Sequence, residues 1–243
     1  MFLFKYSNHL NCVYKNIDMK FKRDKLNAEE LKVLYEKGDF APHSDQKIFT
    51  DAKYNFESLK SAPFFGEETL GIYLKIYDML GKKGHSASLY ELGLLYYNGE
   101  WWLPKDFQKS YMYHLKAAEL GNTDAMFELH IYYAKGIGVK ADNVTAIEWC
   151  KKAAELNHHR ACYNMGAFYA SGNGVQQNME TAIEWYDRAS KVGSGHASAT
   201  LGVMYKTGSG VIADAEKANS YLDRAAELFF DVKSFLARFG LTR

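Results

Sequence analysis

The stretch ACYNMGAFYASGNGV, residues 161–175, contains the pattern on which the prediction of the fold rests. Ala161, Met165 and Tyr169 follow one another at intervals of four residues, which places them on one side of a helix. Gly172 and Gly174 then interrupt the pattern, because glycine adopts at little cost the positive φ angles that end a helix. The stretch therefore predicts a helix followed by a tight turn.

The same glycine pair returns along the chain with a period of 36 residues. Gly136, Gly172 and Gly208 keep this interval, and so do Trp149 and Trp185. A fixed period of this length is the signature of a protein built from repeated supersecondary units. Four units are predicted, over residues 84–120, 121–156, 157–192 and 193–228.

Each unit is predicted to contain a second helix after the glycine turn. Asp142 is a suitable N-cap for this helix, because its carboxylate can accept a hydrogen bond from a backbone amide in the first turn. Its counterparts in the other units can make the same bond; they are Asp106, Asn178 and Asp214. Trp149 shares a helix face with several alanines, so we expect Trp149 and Trp185 to be buried between closely packed helices.

The full pattern is Ala-x-x-x-Leu-Gly-x-x-Tyr-x-x-Gly-x-Gly-Val, followed by Ala-x-x-Trp-x-x-x-Ala-Ala. It resembles the Sel-one-like repeat, a relative of the tetratricopeptide repeat, over residues 84–228. The resemblance implies an all-α, right-handed α-solenoid of helix-turn-helix repeats that acts as an adaptor or scaffold for other proteins, without catalysis. His130 departs from the pattern, since it replaces a glycine. Either the helices of that unit are spread, or the imidazole lies in the gap between them.

The segments outside the repeats are predicted to cover the ends of the stack. Residues 229–243 resemble an amphipathic helix that caps the fourth repeat. Residues 26–83 have a helical but non-repeating pattern, and 67–83 could be the second helix of a degenerate repeat. Residues 1–25 are predicted to be a flexible basic tail, in which Met19 is an alternative start to Met1.

Composition excludes several classes of function. The 30 basic and 29 acidic residues give a net charge of +1, which provides no field to attract nucleic acid or a membrane surface. The three cysteines are too few for a disulfide framework, and no apolar run approaches the roughly 20 residues of a membrane span. No secretory signal is recognisable either. We therefore expect a cytoplasmic monomer.

The residues that could carry chemistry do not form a recognisable site. The Gly-x-Gly-Val turns follow helices, whereas a phosphate-binding loop follows a strand. Cys150, His158, His159 and Cys162 lack the spacing of a zinc site. We expect no catalytic residue, cofactor, metal or small-molecule substrate, and a thiol-dependent enzyme is the remotest alternative.

What remains is a surface on the first helix of each unit, facing away from the buried side. If the first helices line the inner curve, Leu94, Ile131, Ala167 and Val203 form an apolar row there, and Glu91, Asp124 and Glu128 select a basic segment of a partner. The alternative is that these positions contact the next repeat or solvent. The candidate binding residues on this surface are Glu91, Leu94, Asp124, Glu128, Ile131, Asn164 and Thr200.

Trp101 and Trp102 are a separate candidate contact, because two adjacent indoles cannot easily both point inward. They either cap the N-terminal region or bind the partner. The predicted function is a non-enzymatic protein-interaction module. It is either an adaptor or, as the resemblance also allows, a bacterial immunity protein that neutralises a co-encoded toxin.

Overall fold

The computed structural model describes residues 26–37, 43–59, 67–99 and 103–242. These residues contain helices and no β-strand, which confirms the all-α prediction. In chain order the helices are α1 (Ala28–Lys37), α2 (Asp45–Leu59), α3 (Glu67–Lys82), α4 (Ser86–Asn98), α5 (Phe107–Glu119), α6 (Thr123–Lys135), α7 (Asn143–Glu155), α8 (His159–Ser171), α9 (Met179–Lys191), α10 (Gly195–Thr207), α11 (Ala215–Glu227) and α12 (Val232–Ala237). They form two compact units, 1–104 and 105–243, which are described separately.

The N-terminal unit contains α1 to α4. Helix α1 begins with a capping box, in which Asn27 and Glu30 each accept a hydrogen bond from the other's backbone amide. The core of the unit includes Leu31 and Ile48, together with Phe56, whose ring packs edge-on against that of Tyr73 at a centroid distance of 5.5 Å. The predicted tail, residues 1–25, lies outside the described residues.

The end of α3 has the same turn as the second helices of the repeats. Gly84 follows α3 with φ +90°, and the backbone amide of His85 donates to the carbonyl oxygen of Leu80. After α5, the amide of Asn122 donates in the same way to Ala117. This shared turn agrees with the prediction that 67–83 is the second helix of a degenerate repeat, which remains a prediction.

In the C-terminal unit, first helices (α6, α8, α10) alternate with second helices (α5, α7, α9, α11), and helices adjacent in sequence pack together. The predicted N-caps of the second helices are confirmed, because Asp106, Asp142, Asn178 and Asp214 each accept a hydrogen bond from a first-turn amide. Sequence analysis missed the caps of the first helices. They are Asn122, His158 and Ser194.

The glycine pairs have a structural role in closing each repeat. Gly136, the first of one pair, ends α6 in the left-handed conformation with φ +69°. Gly138, the second, lies so close to α5 that an added Cβ would be 2.2 Å from the carbonyl oxygen of Phe107. The pair therefore lets the turn pack on the preceding second helix.

Two positions of the 36-residue register, one on each helix of a repeat, meet inside the repeat. An added Cβ on Gly166 would lie 2.6 Å from the ring of Tyr186, and one on Gly202 would lie 2.7 Å from Leu222. His130 occupies the same position in the preceding repeat. Its ring is buried, and Nδ1 donates to the carbonyl oxygen of Ala146 at 3.0 Å. The imidazole therefore lies in the gap between the helices, which was one of the two alternatives.

The tryptophans of the second helices are not buried as expected. Trp149 and Trp185 are half-buried, and a cation covers one side of each ring. Lys152 Nζ lies 4.2 Å from the Trp149 ring centroid, and the Arg188 guanidinium lies 5.2 Å from that of Trp185. The close helix contacts are made instead by small residues such as Ala153, which is fully buried.

The C-terminal segment covers the last repeat, but with a shorter helix than residues 229–243 were expected to form. Helix α12 has six residues, and Val232, Phe235 and Leu236 pack against Leu222 and its neighbours. Phe229, expected on the apolar side of this helix, precedes it in a turn with φ +57° and is 99% exposed.

Candidate functional site

The buried thiols are poor candidates for chemistry. Cys150 is fully buried, and its thiol donates to the carbonyl oxygen of Ala161; the thiol of Cys162 donates to that of Ala154. Burial raises the pKa of Cys150 to about 12 and also raises the pKa of Cys162. Both groups are therefore protonated near neutral pH, whereas nucleophilic attack requires a thiolate.

His158 has a structural role at the start of α8. Its Nδ1 accepts a hydrogen bond from the amide of Ala161, so its Nε2 carries the proton and donates to Asp124 at 3.2 Å. Burial lowers the pKa of His158, which favours this neutral form. In the described part of the chain, no cluster of three or more histidine, cysteine or acidic side chains could hold a metal ion.

In the N-terminal unit, the candidate residue Glu91 is already paired. Its carboxylate forms an ion pair with Lys53 of α2 and is largely shielded from solvent. Leu94, also on α4, is half-buried. Trp101 and Trp102 lie outside the described residues.

In the C-terminal unit, the two acidic candidates on α6 have different environments. Asp124 is 61% exposed and accepts the hydrogen bond from His158. Glu128 is half-buried, and burial raises the pKa of its carboxyl group, although the nearby positive charge of Arg160 acts in the opposite direction. Of the two carboxyl groups, Asp124 is therefore the more accessible to a partner.

The other candidates also differ in accessibility. Ile131 is half-buried, and Thr200 donates its hydroxyl to the carbonyl oxygen of His196 one turn earlier. Asn164 lies with Nδ2 at 3.4 Å from His130 Nε2. The expected apolar row does not extend to Val203, because this residue is buried in the cluster that includes α12. The C-terminal cap thus covers that end of the row.

Several residues of the first helices surround a cleft of about 400 Å³, which we call the α8 cleft. It lies between α6, α8 and the turn that leads into α10. Its lining residues are Phe127, His159, Arg160, Tyr163, Asn164, Gly193, Ser194, Gly195 and His196. Arg160 lies one turn before the candidate Asn164, and His196 lies one repeat after Arg160, so the helical periodicity places all three on the candidate surface. These three positions converge on one opening.

Aromatic contacts hold the walls of the α8 cleft. Tyr163 packs edge-on against His196 at a centroid distance of 4.8 Å, and His196 packs in turn against Phe235 of α12 at 5.2 Å. On the opposite side, Phe127 stacks on His158 at 4.7 Å. The walls are therefore fixed by packing before any partner binds.

The polar groups of the α8 cleft are mainly hydrogen-bond donors. Arg160 always carries its guanidinium donors, Asn164 carries an amide, and the imidazoles of His159 and His196 can each donate from one nitrogen when neutral. Donors of this kind suit the carbonyl and carboxylate oxygens of a polypeptide. Phe127 and Tyr163 provide apolar surface beside them.

The helical repeat, its glycine turn and its capping pattern are matched by a known family. The sequence profile described as Sel1 repeat matches four segments, 86–122, 123–158, 159–194 and 196–228, which together cover more than half of the 243 residues. The chain belongs to the Sel1 repeat family. Sel1 repeat proteins generally mediate protein–protein interactions, and their fold is typically a non-enzymatic scaffold.

Solved structures support the same fold for this Sel1 repeat protein. A Sel1 repeat protein from Oxalobacter formigenes is 29% identical, with a TM-score of 0.60 over 87% of this chain and 72% of its own. The antigen c5321 of uropathogenic Escherichia coli, described as displaying an SLR fold, is 22% identical, with a TM-score of 0.62. The alignment covers 88% of this chain and about half, 52%, of c5321.

Other comparisons add no argument about function. The immunity protein Pa5087 of Pseudomonas aeruginosa is 19% identical over 76% of this chain and 83% of its own, with a TM-score of only 0.41. No curated protein matches the chain significantly. Among the helices of the described residues, none has both the length and the apolar character needed to cross a bilayer.

Proposed function

We propose that this Sel1 repeat protein is a non-enzymatic interaction module and that a segment of its partner protein binds in the α8 cleft. The observation that carries the proposal is the convergence of Arg160, Asn164 and His196 on one preformed opening. These groups would bind carbonyl or carboxylate oxygens of the segment, and an apolar side chain would pack on Phe127 and Tyr163. Asp124 lies on the neighbouring helix and would contact a basic residue of the same segment.

Site-specific cross-linking in the native host tests this proposal. A photo-reactive amino acid is placed at Asn164, and a matched one at the exposed Glu148 of α7. We expect one protein to be captured from position 164 but not from 148, and to be lost when Arg160→Glu is added. Equal capture from both positions, or capture that does not depend on Arg160, would contradict binding in the cleft.

The captured partner is then purified and titrated calorimetrically. We expect Arg160→Glu and Asn164→Ala each to weaken binding about tenfold or more, which corresponds to about 1.4 kcal/mol. Glu148→Lys is the charge-changing control and is expected to leave the affinity unchanged.

The identity of the partner separates the two specific roles. A partner that is toxic to cells lacking this chain would make the protein an immunity protein, whereas components of a pathway or assembly would make it an adaptor. A cytoplasmic location belongs to the same proposal and is supported by the free thiols of Cys150 and Cys162.

A further inference from the structure

Two of the second helices, α9 and α11, each contact the preceding second helix through an arginine in the last turn. Arg188 of α9 donates from Nε to the side-chain oxygen of Asn157 and from Nη2 to the carbonyl oxygen of Glu155, both at 2.8 Å. Glu155 is the last residue of α7 and Asn157 lies in the turn after it. A guanidinium from α9 thus covers the C-terminal end of α7, where helix carbonyls lack partners within the helix.

The same contact recurs one repeat later. Arg224 of α11 donates to the carbonyl oxygens of Ser190 and Lys191 at 3.2 and 3.3 Å, at the end of α9. Tyr221, one turn earlier on α11, donates its hydroxyl to Asp187 of α9 at 2.9 Å. Trp185 and Arg188 have the same spacing on α9. Both helices thus carry an aromatic-x-x-Arg pattern, in which the arginine contacts the preceding second helix in each case and the aromatic residue contacts it on α11.

The corresponding surface of α11 is exposed to solvent. It is a groove of about 520 Å³ whose lining side chains are all exposed, and we call it the α11 face. Its residues are Glu216, Asn219, Ser220, Asp223, Arg224 and Glu227. Asp223 and Glu227 are one repeat after Asp187 and Lys191, two of the residues that α11 contacts on α9. Within the described residues, which run to Thr242, no further second helix follows α11.

Phe229 lies at the end of the α11 face, and its backbone has a positive φ angle, which is unfavourable for a bulky residue. The equivalent residues after the earlier second helices are Gly121, Asn157 and Gly193, all with positive φ. Glycine and asparagine tolerate this region, whereas a bulky side chain is strained there. The backbone of Phe229 is strained in this way, although the residue is 99% exposed and its ring is not buried in the core. Strained backbone positions cluster at functional sites, and an exposed phenylalanine ring at such a position suits an apolar contact with another molecule.

We propose that the α11 face docks a helix of a partner protein that carries an aromatic-x-x-Arg pattern. This helix takes the place on α11 that α11 takes on α9. Its arginine covers the end of α11 at Glu227, its aromatic residue lies beside Asp223, and an apolar residue packs on Phe229. The acidic groups of Glu216, Asp223 and Glu227 favour the arginine of this helix. The α11 face lies on a second helix and shares no residue with the α8 cleft, so the proposal is independent of the proposed function.

A helical peptide provides a direct probe of the α11 face. The peptide is a stapled copy of residues 215–227, AEKANSYLDRAAE, since α11 itself carries Tyr221 and Arg224. It is titrated into the ¹⁵N-labelled full-length chain. We expect shifts of the amide signals of Asp223, Glu227 and Phe229, and at least a tenfold loss of affinity when the peptide arginine is replaced by alanine.

A charge change on the protein tests the same contact from the other side. We expect Asp223→Lys with Glu227→Lys in the protein to weaken binding of the original peptide at least tenfold, because the two lysines repel the peptide arginine. Glu148→Lys is the control and is expected to have no effect. No amide shifts at 1 mM peptide, shifts confined to the α8 cleft, or binding that ignores both charge changes would overturn the proposal. So would concentration-dependent self-association through this face, since the occupant would then be a second copy of the chain.

Discussion

His130 and Cys150 occupy the two positions that Gly166 and Tyr186 occupy one repeat later, with the large and the small residue exchanged between the two helices. The exchange keeps the space between α6 and α7 filled, since the His130 ring lies in the gap and donates to the carbonyl oxygen of Ala146. The departure from the repeat pattern at His130 is thus compensated within the same repeat.

Replacing His130 by glycine is expected to reduce the free energy of unfolding by about 2–3 kcal/mol. The change leaves a cavity and removes the donor that satisfies Ala146. Urea denaturation, monitored by circular dichroism, measures the loss.

Adding Cys150→Tyr to His130→Gly reproduces the pair found at Gly166 and Tyr186. We expect this double variant to recover most of the lost stability, whereas Cys150→Tyr alone is destabilising because the space is already filled. Additive effects of the two changes would contradict a direct exchange of volume between the positions.

Lowering the pH from about 7.5 to about 5 is expected to destabilise the protein. Burial lowers the pKa of His130, His158 and His196 below the ordinary value of 6.5. Between those lowered values and 6.5 the unfolded chain binds more protons than the folded chain, so stability falls as the pH falls. Glu128, whose pKa is raised by burial, acts in the opposite direction. Urea midpoints at the two pH values measure the net effect.

The His158→Asn variant isolates the contribution of His158 to the pH dependence of stability. Asparagine can cap α8 as Asn122 caps α6, but it does not titrate. We expect a smaller loss of stability between pH 7.5 and 5 in this variant, while His159→Asn, at an exposed neighbouring position, serves as the control. An unchanged pH dependence would exclude His158 as a contributor.

Gly138→Ala is expected to cost about 3 kcal/mol or more. The added Cβ meets the backbone of Phe107 at 2.2 Å and the residue has φ +66°, so steric overlap adds to conformational strain. Gly121→Ala is the matched comparison, because its φ is +86° but no atom lies within 4 Å. Its cost should be about 1 kcal/mol. Equal losses in thermal unfolding would show that packing of the glycine turn does not matter.

Phe229→Gly is expected to raise the free energy of unfolding by about 0.5–1 kcal/mol, because it relieves a positive φ without removing a buried contact. Differential scanning calorimetry measures the change. Phe239→Ala, at another exposed aromatic position, should not stabilise the protein. A less stable Phe229→Gly variant would mean that the ring packs on the chain itself.

Much of the fold could be predicted because it depends on local signals. The positions of Gly136 and Asp142 determine where a helix ends and the next begins, and both are visible in a single sequence. The caps at His158 and Ser194 were missed, although the same 36-residue register could have located them. The burial of Trp149 was overestimated, because helical periodicity gives the side of a helix but not whether another helix covers it fully.

The candidate site was harder to predict, since it depends on contacts between residues far apart in sequence. The pairing of Glu91 with Lys53 and the cover over Val203 come from elements outside the repeat pattern. Tyr163 was not on the predicted surface, and His196 was on it without being singled out, yet their rings form one wall of the α8 cleft. The 36-residue register places them on first helices of neighbouring repeats but does not give the rotamers that bring the rings together.

The arginine contacts between second helices also bear on how such a chain can evolve. Arg224 bonds to main-chain carbonyls, which every residue provides, so it does not depend on the side chains of the repeat before it. If the repeat that carries Arg224 were duplicated, the second copy could make the same main-chain bonds to the first. His130 and Cys150 lie in one repeat, 121–156, so the exchanged pair would be copied or deleted together. Neither the main-chain bonds of Arg224 nor the exchange of His130 and Cys150 therefore requires a matching change in the side chains of another repeat.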